Sequence, residues 1–170
     1  MRLSDPFEFA RRGQVLEGEL SVRQLERVLE MVRPDGLEAA VSYRWEGCRR
    51  GDDAFLVLRV SGDLVLACQR CLTDVVCSVS VERRFLLVPE GEDLPDDDLA
   101  DDLAEDDFDP IHAGRNLDAL SLLEDEVLLS LPAFPMHQDC SAPNGSSGAV
   151  EQVQDVVSPF AALGKLKRGN

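Results

Sequence analysis

A chain of 170 residues with 44% hydrophobic side chains and a formal net charge of −16 is long enough for one domain with a buried core, and short for two. No apolar run approaches the roughly 20 residues of a membrane-spanning helix, and the first residues do not resemble a signal peptide. We therefore expect a cytoplasmic protein without a membrane partner. We expect one α+β domain over residues 1–140, followed over 141–170 by a flexible linker and a short C-terminal helical segment.

The negative charge is concentrated in one segment. Residues 90–109 contain twelve acids and no lysine or arginine, so the rest of the chain is only mildly acidic. We expect an acidic loop inserted at 90–110, and five of its acids are candidate partner-binding residues: Asp96, Asp97, Asp98, Asp101 and Asp102. Such a loop attracts a basic protein, or keeps RNA phosphates away except where arginines are placed. A nuclease centre is disfavoured, because two-metal sites need carboxylates fixed on rigid elements.

In the first part of the chain, two strands are predicted to flank a helix. Residues 14–20 predict a short strand, and Ser21 is a suitable N-cap because its hydroxyl can accept from the free amides of the next turn. The helix is predicted over 22–32, where apolar residues recur at three- and four-residue spacing, and it ends at Pro34. Residues 37–46 alternate between apolar and polar, which predicts a half-buried strand.

Three further strand-like runs predict a sheet. They span 55–60, 64–67 and 75–88, and the turns between them are short. Consecutive strands joined by short turns form an antiparallel meander, since parallel crossovers need helices between the strands and none is predicted there. We therefore expect an antiparallel sheet that curls towards a barrel.

A leucine-rich helix is predicted over 117–130, with Asn116 or Asp118 as its N-cap. Its apolar face is expected to cover the open side of the sheet, which gives the domain two covering helices. Residues 160–167 predict a last short helical stretch with basic residues around it.

Four residues form a candidate zinc site. Cys68 and Cys71 lie two residues apart between strand-like runs, and His137 and Cys140 repeat that spacing after the leucine-rich helix. Zinc binds four ligands in a tetrahedron, and these two pairs supply three sulfur atoms and one imidazole. Two other interpretations stay open: unliganded structural thiols beside a surface histidine, and a redox dithiol. The redox interpretation is disfavoured because a reactive cysteine prefers a helix N-terminus, and these thiols lie between strands.

Arg70, Arg83 and Arg84 are candidate partner-binding residues, since arginines that converge on one side of a sheet can contact RNA. Ordinary solvated arginines are an equally good interpretation. Tyr43 and Trp45 belong to the inward-facing alternation, so the sequence reveals no aromatic platform for RNA bases. Because it also contains no nucleophile with a base, no phosphate-binding glycine loop and no cofactor fingerprint, we expect neither an enzyme nor a small-molecule substrate.

The order and spacing of these motifs resemble the bacterial YceD family. The resemblance begins at Cys68-Gln69-Arg70-Cys71-Leu72 and continues through the acid-rich insert into the leucine-rich helix, which ends at Pro132. The family pattern of Pro-x-His and then Cys is matched at Pro135-Met136-His137 and Cys140. Its closing pattern, Pro-Phe-Ala-x-Leu-x-x-Leu-Lys, is matched at 159–167.

This resemblance implies a role in the accumulation of 23S ribosomal RNA of the large subunit, through its synthesis, processing or stability. Our leading hypothesis is a non-enzymatic ribosome biogenesis factor. Its acidic loop would bind a basic ribosomal protein or assembly factor, and its arginines would approach pre-rRNA. The alternatives are an RNA-processing enzyme or its activator, and a Cys-x-x-Cys thiol-redox protein.

Overall fold

The computed structural model describes residues 1–95 and 108–142, which are built around one β-sheet. Within this part of the chain the five strands, in spatial order, are β1 (Val15–Ser21), β2 (Ala40–Arg50), β3 (Asp53–Ala67), β4 (Asp74–Pro89) and β5 (Asp109–Ala113). The helices are α1 (Pro6–Arg11), α2 (Glu26–Leu29) and α3 (Ala119–Ser130), with short 3-10 turns at Val22–Gln24 and Pro34–Gly36. The predicted α+β class is confirmed, but the described residues contain three helices where two were predicted, because Pro6–Arg11 also folds as a helix. The C-terminal linker and helical segment, and Asp96, Asp97, Asp98, Asp101 and Asp102, lie outside the described residues.

The sheet is open, so the predicted curl into a barrel is wrong. β1 and β5 lie at opposite edges, and β5 pairs in parallel with β4, placing Leu87 opposite Ile111. The prediction of an antiparallel meander is therefore also wrong at this edge. A parallel pair needs a connection of about a dozen residues or more, and the chain between Pro89 and Asp109 supplies that length.

β3 is one long strand where the sequence predicts two. Gly62 pairs with Val41 of β2 and Val79 of β4, so the predicted turn at this glycine does not form. A Cβ atom at Gly62 would lie 3.0 Å from the Ala40 carbonyl oxygen. The glycine therefore allows neighbouring backbone to approach closely inside the sheet.

The single helix predicted after Ser21 is interrupted. Ser21 and Gln24 form a capping box around a 3-10 turn, as the N-cap prediction requires. Leu25 then leaves the helical conformation, with φ −105° and ψ 85°, and its side chain is fully buried. α2 begins after it, and the Arg27 N–H donates to Glu124 Oε1 of α3 at 3.0 Å. Burial of Leu25 and the carboxylate from α3 explain why the chain does not continue as one helix.

The helices lie on one face of the sheet, where the core forms. Trp45 and Phe85 are buried there with their ring centroids 5.9 Å apart, and Leu123 of α3 packs into the same cluster. Asp118 caps α3 as predicted, because its carboxylate accepts from the backbone amides of Leu120 and Ser121 at 3.2 Å each.

The opposite side of the sheet, which we call the open face, is mostly exposed in the described part of the chain, although Val57 and Val88 are buried there. It carries Ser42, Ser61 and Ser80 in one cross-strand row, and all three are exposed. The next row on this face is a ladder of ion pairs in which Arg59 contacts both Glu82 and Glu46. No helix in the described residues is long and apolar enough to span a membrane.

Candidate metal centre

A compact turn between β3 and β4 positions the first two cysteines. The Cys68 N–H donates to the Thr73 carbonyl at 2.9 Å, and the Leu72 N–H donates to the Cys68 carbonyl at 2.9 Å. Leu72 adopts the left-handed region with φ 64°, which lets the chain reverse within a few residues. The turn therefore brings the sulfur atoms of Cys68 and Cys71 close together.

The segment after α3 brings the second pair of candidate ligands to this turn. The Gln69 N–H donates to the Pro135 carbonyl at 2.8 Å, which fixes the segment alongside the turn. The three sulfur atoms of Cys68, Cys71 and Cys140 and a ring nitrogen of His137 all lie within 4.8 Å of one another. The four residues that the sequence nominates are thus brought together, and the cluster could bind a metal ion.

Two distances inside the cluster can be compared with those around a tetrahedral zinc ion. Cys68 Sγ lies 3.7 Å from Cys140 Sγ, and Cys71 Sγ lies 3.4 Å from His137 Nδ1. Zinc–ligand bonds of about 2.3 Å to sulfur and 2.0–2.1 Å to nitrogen place two sulfurs about 3.8 Å apart, and a sulfur and a nitrogen about 3.5 Å apart. These two distances are close to those of a tetrahedral zinc ion, and the remaining pairs of ligand atoms lie within 4.8 Å of each other.

The imidazole of His137 is oriented for this role. Its Nε2 lies 2.9 Å from the Asp74 carbonyl oxygen, which can only accept, so Nε2 carries the proton. When the ring is neutral, as a metal ligand must be, Nδ1 turns its lone pair towards the sulfur atoms. A histidine that donates its outer N–H to a carbonyl is the usual arrangement of a metal ligand, because the hydrogen bond fixes the tautomer.

Arg70, a predicted partner-binding residue, lies against the cluster. Its Nε donates to Cys140 Sγ at 3.0 Å, and its terminal nitrogen donates to the carbonyls of His137 and Gln138 at 2.7 and 3.1 Å. If a zinc ion were bound by three thiolates and a neutral imidazole, the site would carry one excess negative charge, which the guanidinium would balance. The hydrogen bonds of Arg70 tie the segment after α3 to the turn.

The acidities of the ligands are uneven. The backbone N–H of Cys71 is the main cause that lowers the pKa of Cys68 to about 5, and the Thr73 hydroxyl lowers the pKa of Cys71. Burial raises the pKa of Cys140, whereas the hydrogen bond that it accepts from Arg70 lowers it. The Cys68 thiol raises the pKa of His137. Cys68 is therefore largely thiolate at neutral pH, the form that binds metal.

The remaining predicted arginines separate onto the two faces of the sheet. Arg83 lies on the packed face, and its Nε donates to Glu126 Oε2 of α3 at 3.1 Å. Arg84 lies on the open face opposite Val57. The alternation of side chains along β4 accounts for the split, because adjacent residues point to opposite faces.

The sequence analysis did not predict one feature of the open face, a pair of aromatic side chains in contact. Phe55 of β3 and Phe108 have ring centroids 5.8 Å apart and planes at 76°. Phe55 lies within a predicted strand, and its alternation with Leu56 could have placed it on the open face. Its partner could not be found locally, because Phe108 is separated from it by β4 and the acidic segment.

The fold and the cluster define a class: an α+β protein in which a Cys-x-x-Cys turn and a His-x-x-Cys segment form a four-residue cluster that could bind a metal ion. The chain belongs to the YceD family, described as large ribosomal RNA subunit accumulation protein YceD, whose model matches residues 56–167. It is 32% identical to the large ribosomal RNA subunit accumulation protein YceD of Haemophilus influenzae, over 96% of this chain and 94% of that protein. No solved structure matches the chain significantly.

Proposed function

We propose that this protein is a non-enzymatic ribosome biogenesis factor that promotes accumulation of 23S ribosomal RNA of the large subunit in the cytoplasm. Membership of the YceD family and the name of the Haemophilus influenzae relative support the pathway. That name describes accumulation of an RNA and not a catalysed reaction. The protein would act by binding, through changes in the synthesis, processing or stability of the RNA.

The four-residue composition of the candidate metal centre is the observation that supports the non-enzymatic part of this proposal. A catalytic zinc ion keeps a position open for water or substrate, whereas a structural zinc ion has four protein ligands. Here four protein ligands converge within 4.8 Å, and Arg70 covers one of the sulfur atoms. Cys68, Cys71, His137 and Cys140 would hold zinc, and the ion would link the β3–β4 turn to the chain beyond α3.

The acidic segment would provide the contact with a protein partner. Its charge, with twelve acids in residues 90–109, favours a basic ribosomal protein or assembly factor. We assign this contact to Asp96, Asp97, Asp98, Asp101 and Asp102. Because electrostatic attraction between exposed charges is screened, the association would weaken as salt is raised.

The decisive experiment measures large-subunit ribosomal RNA in cells that lack the protein. We expect the ratio of 23S to 16S RNA to fall, and the wild-type chain to restore it. A chain with Asn in place of Asp96, Asp97, Asp98, Asp101 and Asp102 should restore it poorly, because the basic partner is lost. A normal ratio in the deletion strain contradicts the pathway, and full restoration by the Asn variant contradicts the role of the acidic segment.

A second measurement separates binding from catalysis. Purified protein incubated with pre-rRNA and Mg²⁺ should leave the RNA intact. Cleavage at defined positions would instead favour the RNA-processing alternative.

A further inference from the structure

β4 extends well beyond the strand that pairs with it on one side. β3 pairs with residues 74–86 of β4, whereas β5 pairs, on the other side, only with residues 85–89. In the described part of the chain, no strand lies beside residues 75–82 on that second side. We call this side of residues 75–82 the β4 edge.

The backbone of the β4 edge offers groups for hydrogen bonding. Thr73 faces β3, because its carbonyl accepts from the Cys68 N–H. The carbonyl of the next residue, Asp74, faces away from β3 and lies 2.9 Å from His137 Nε2. Successive residues of a strand direct their backbone groups to alternate sides, so every second residue after Asp74 also faces away from β3. These residues are Val76, Ser78, Ser80 and Glu82, and no described residue bonds to their N–H and C=O groups.

The β4 edge lacks the features that usually prevent pairing with another strand. Natural edge strands are protected by charged side chains, by proline, by bulges or by a covering element. Residues 75–81 read Val-Val-Cys-Ser-Val-Ser-Val, with neither a charge nor a proline. β-branched residues such as these valines are common in paired strands. The composition of this edge therefore favours the addition of a strand.

A cavity of about 210 Å³ lies where β4 meets the last turn of α3. Ser80 and Val81 of β4 and Leu129 of α3 belong to its lining. Leu129 is 74% exposed although its side chain is large and apolar. A strand added to the β4 edge directs alternate side chains to the two faces of the sheet. Those on the packed face would meet Leu129, and those on the open face would meet Val76.

We propose that the β4 edge binds an extended segment of a basic protein as an additional strand of the sheet, an inference that rests on the proposed function. Backbone hydrogen bonds with Val76, Ser78 and Ser80 supply affinity, and an apolar side chain of the segment packs against Leu129. The net charge of −16 favours a segment that carries lysine or arginine. The acidic segment attracts such a partner by charge, and the β4 edge fixes its position.

A second copy of the chain is the competing occupant, because two identical edges can also pair with each other. Charge disfavours this arrangement, since both copies carry −16 and repel each other. A basic segment has the opposite charge and the same backbone groups.

The test is fluorescence anisotropy of a fluorescein-labelled peptide, Lys-Val-Thr-Val-Lys-Val-Thr-Val-Lys, with the full-length protein at low salt. The matched control peptide has proline in place of both threonines. It keeps the charge and the valines, but proline has no N–H and interrupts a strand ladder. We expect the first peptide to bind and the proline peptide to bind at least about fivefold more weakly, as expected from the loss of one or more hydrogen bonds.

Ser80→Pro removes one N–H from the β4 edge. Proline is tolerated where the N–H faces away from the neighbouring strand, so the pairing with β3 should persist. We expect this variant to bind the first peptide about fivefold more weakly, the value for one hydrogen bond. Leu129→Ala should weaken binding about threefold or more, because apolar surface is lost from the contact with α3.

Val15→Pro is the matched control at the opposite edge of the sheet. The Gly47 N–H donates to the Gln14 carbonyl at 2.9 Å, so Gln14 faces β2 and Val15 faces away from it. The substitution therefore also removes an outward N–H, but from β1, and it should leave the affinity unchanged. Melting curves confirm that each variant is folded.

Amide hydrogen exchange of the wild-type protein, followed by NMR, tests the same edge without a substitution. The outward amides of Ser78 and Ser80 should exchange fast in the free protein and lose this fast exchange when the first peptide is bound. Val79, which faces β3, should be protected in both states. Protection of Ser78 and Ser80 in the free monomer would overturn the inference, because another part of the chain would then cover the edge.

The inference is also overturned if the wild-type protein does not bind the first peptide, or if the two peptides bind equally. The same holds if Ser80→Pro or Leu129→Ala binds as the wild type does, or if Val15→Pro weakens binding as much as Ser80→Pro. Sedimentation should show a monomer. A dimer that Ser80→Pro dissociates overturns the inference in favour of a second copy.

The outcomes separate this inference from the proposed function. A protein that binds the peptide at the β4 edge, but whose deletion leaves 23S RNA unchanged, supports the edge and contradicts the biological role. Loss of 23S RNA in the deletion strain that is fully restored by a chain carrying Ser80→Pro supports the role and contradicts the edge as the site of the partner.

Discussion

Cys68 Sγ and Cys140 Sγ lie 3.7 Å apart although the two residues are separated by 72 positions in the sequence. One follows the last residue of β3, and the other lies beyond α3. Their proximity closes the chain into one loop, which runs from the β3–β4 turn through β4, β5 and α3. A metal ion shared by both residues would therefore stabilise every element inside that loop against unfolding.

Zinc content is the first prediction. We expect about one zinc ion per chain in protein purified without chelator, because three sulfur atoms and one imidazole nitrogen converge within 4.8 Å of one another. Cys68→Ser should lose the metal and lower the melting temperature, as should a strong chelator on the wild-type protein. Elemental analysis and thermal melts provide the measurement. Cys77→Ala is the control, since Cys77 is buried outside the cluster and its loss should leave the zinc content unchanged.

Arg70 should tune the affinity for zinc without binding the ion. Loss of an outer hydrogen-bond partner typically costs about 10–100-fold in metal affinity. We expect Arg70→Gln to fall in that range and Arg70→Lys to recover part of the loss, measured by competition with a zinc chelator. Arg44→Gln, which breaks ion pairs with Glu17 and Glu46 on the open face, should retain wild-type affinity. Equal affinities for Arg70→Gln and wild type would show that the charge balance is unimportant.

The N-cap of α3 makes stability depend on pH. Backbone N–H groups of Ser121 and Leu120 lower the pKa of Asp118, so the folded state favours its carboxylate. The cap contributes fully above the unfolded pKa of about 3.9, and this contribution is lost as pH falls through the lower folded value. Asp118→Ala should cost about 1 kcal/mol at pH 7, as other N-cap losses do.

Urea denaturation at pH 7 and at pH 3 measures this dependence. The difference between wild type and Asp118→Ala should shrink at the lower pH, because the wild-type carboxylate is then increasingly protonated. Asp118→Asn is the control, since an amide oxygen still accepts a hydrogen bond but does not titrate. A gap between wild type and Asp118→Ala that is the same at both pH values would argue against the cap.

Gly47 should not tolerate a side chain. A Cβ atom there would lie 2.5 Å from the Phe9 carbonyl oxygen and 2.7 Å from Ala10 Cα, where α1 crosses β2. Backbone cannot yield as a flexible side chain can, so Gly47→Ala should cost about 3 kcal/mol, at the upper end for an overpacked core. Gly18→Ala is the comparison: its nearest neighbour is the movable Tyr43 hydroxyl at 3.1 Å, and its cost should be smaller.

Chemical denaturation of the two glycine variants gives the comparison directly. Similar free energies of unfolding for Gly47→Ala and Gly18→Ala would mean that α1 can move away from the sheet at little cost. A selective loss for Gly47→Ala would show that the docking of α1 depends on the absence of a side chain at this position of β2.

Several features of the fold were predictable because they depend on neighbours in the sequence. Ser21 and Asp118 cap the turns that follow them, since a side-chain oxygen needs only the next few amides to do so. The half-buried strand around Trp45 follows from the two-residue alternation of side chains. The four candidate metal ligands were predictable from residue type and spacing, which reflect the needs of a tetrahedral ion.

The errors arose where a distant contact outweighs a local signal. Gly62 has the composition of a turn, but pairing on both sides keeps it in β3. Leu25 has the spacing of a helix residue. The helix is nevertheless interrupted, because Leu25 is buried and Glu124 accepts a hydrogen bond from the Arg27 N–H. In each case the free energy of packing between distant segments exceeds the small local preference.

The sequence by itself determined the α+β class, the helix caps and the identity of the candidate metal ligands, because side-chain period and ligand spacing are local properties. Only the tertiary structure decided that the sheet stays open, that Arg70 lies against Cys140, and that Phe55 meets Phe108 beside Arg84. These relationships join residues far apart in the chain. They depend on which surfaces bury each other when the whole domain packs, and a local pattern does not contain that information.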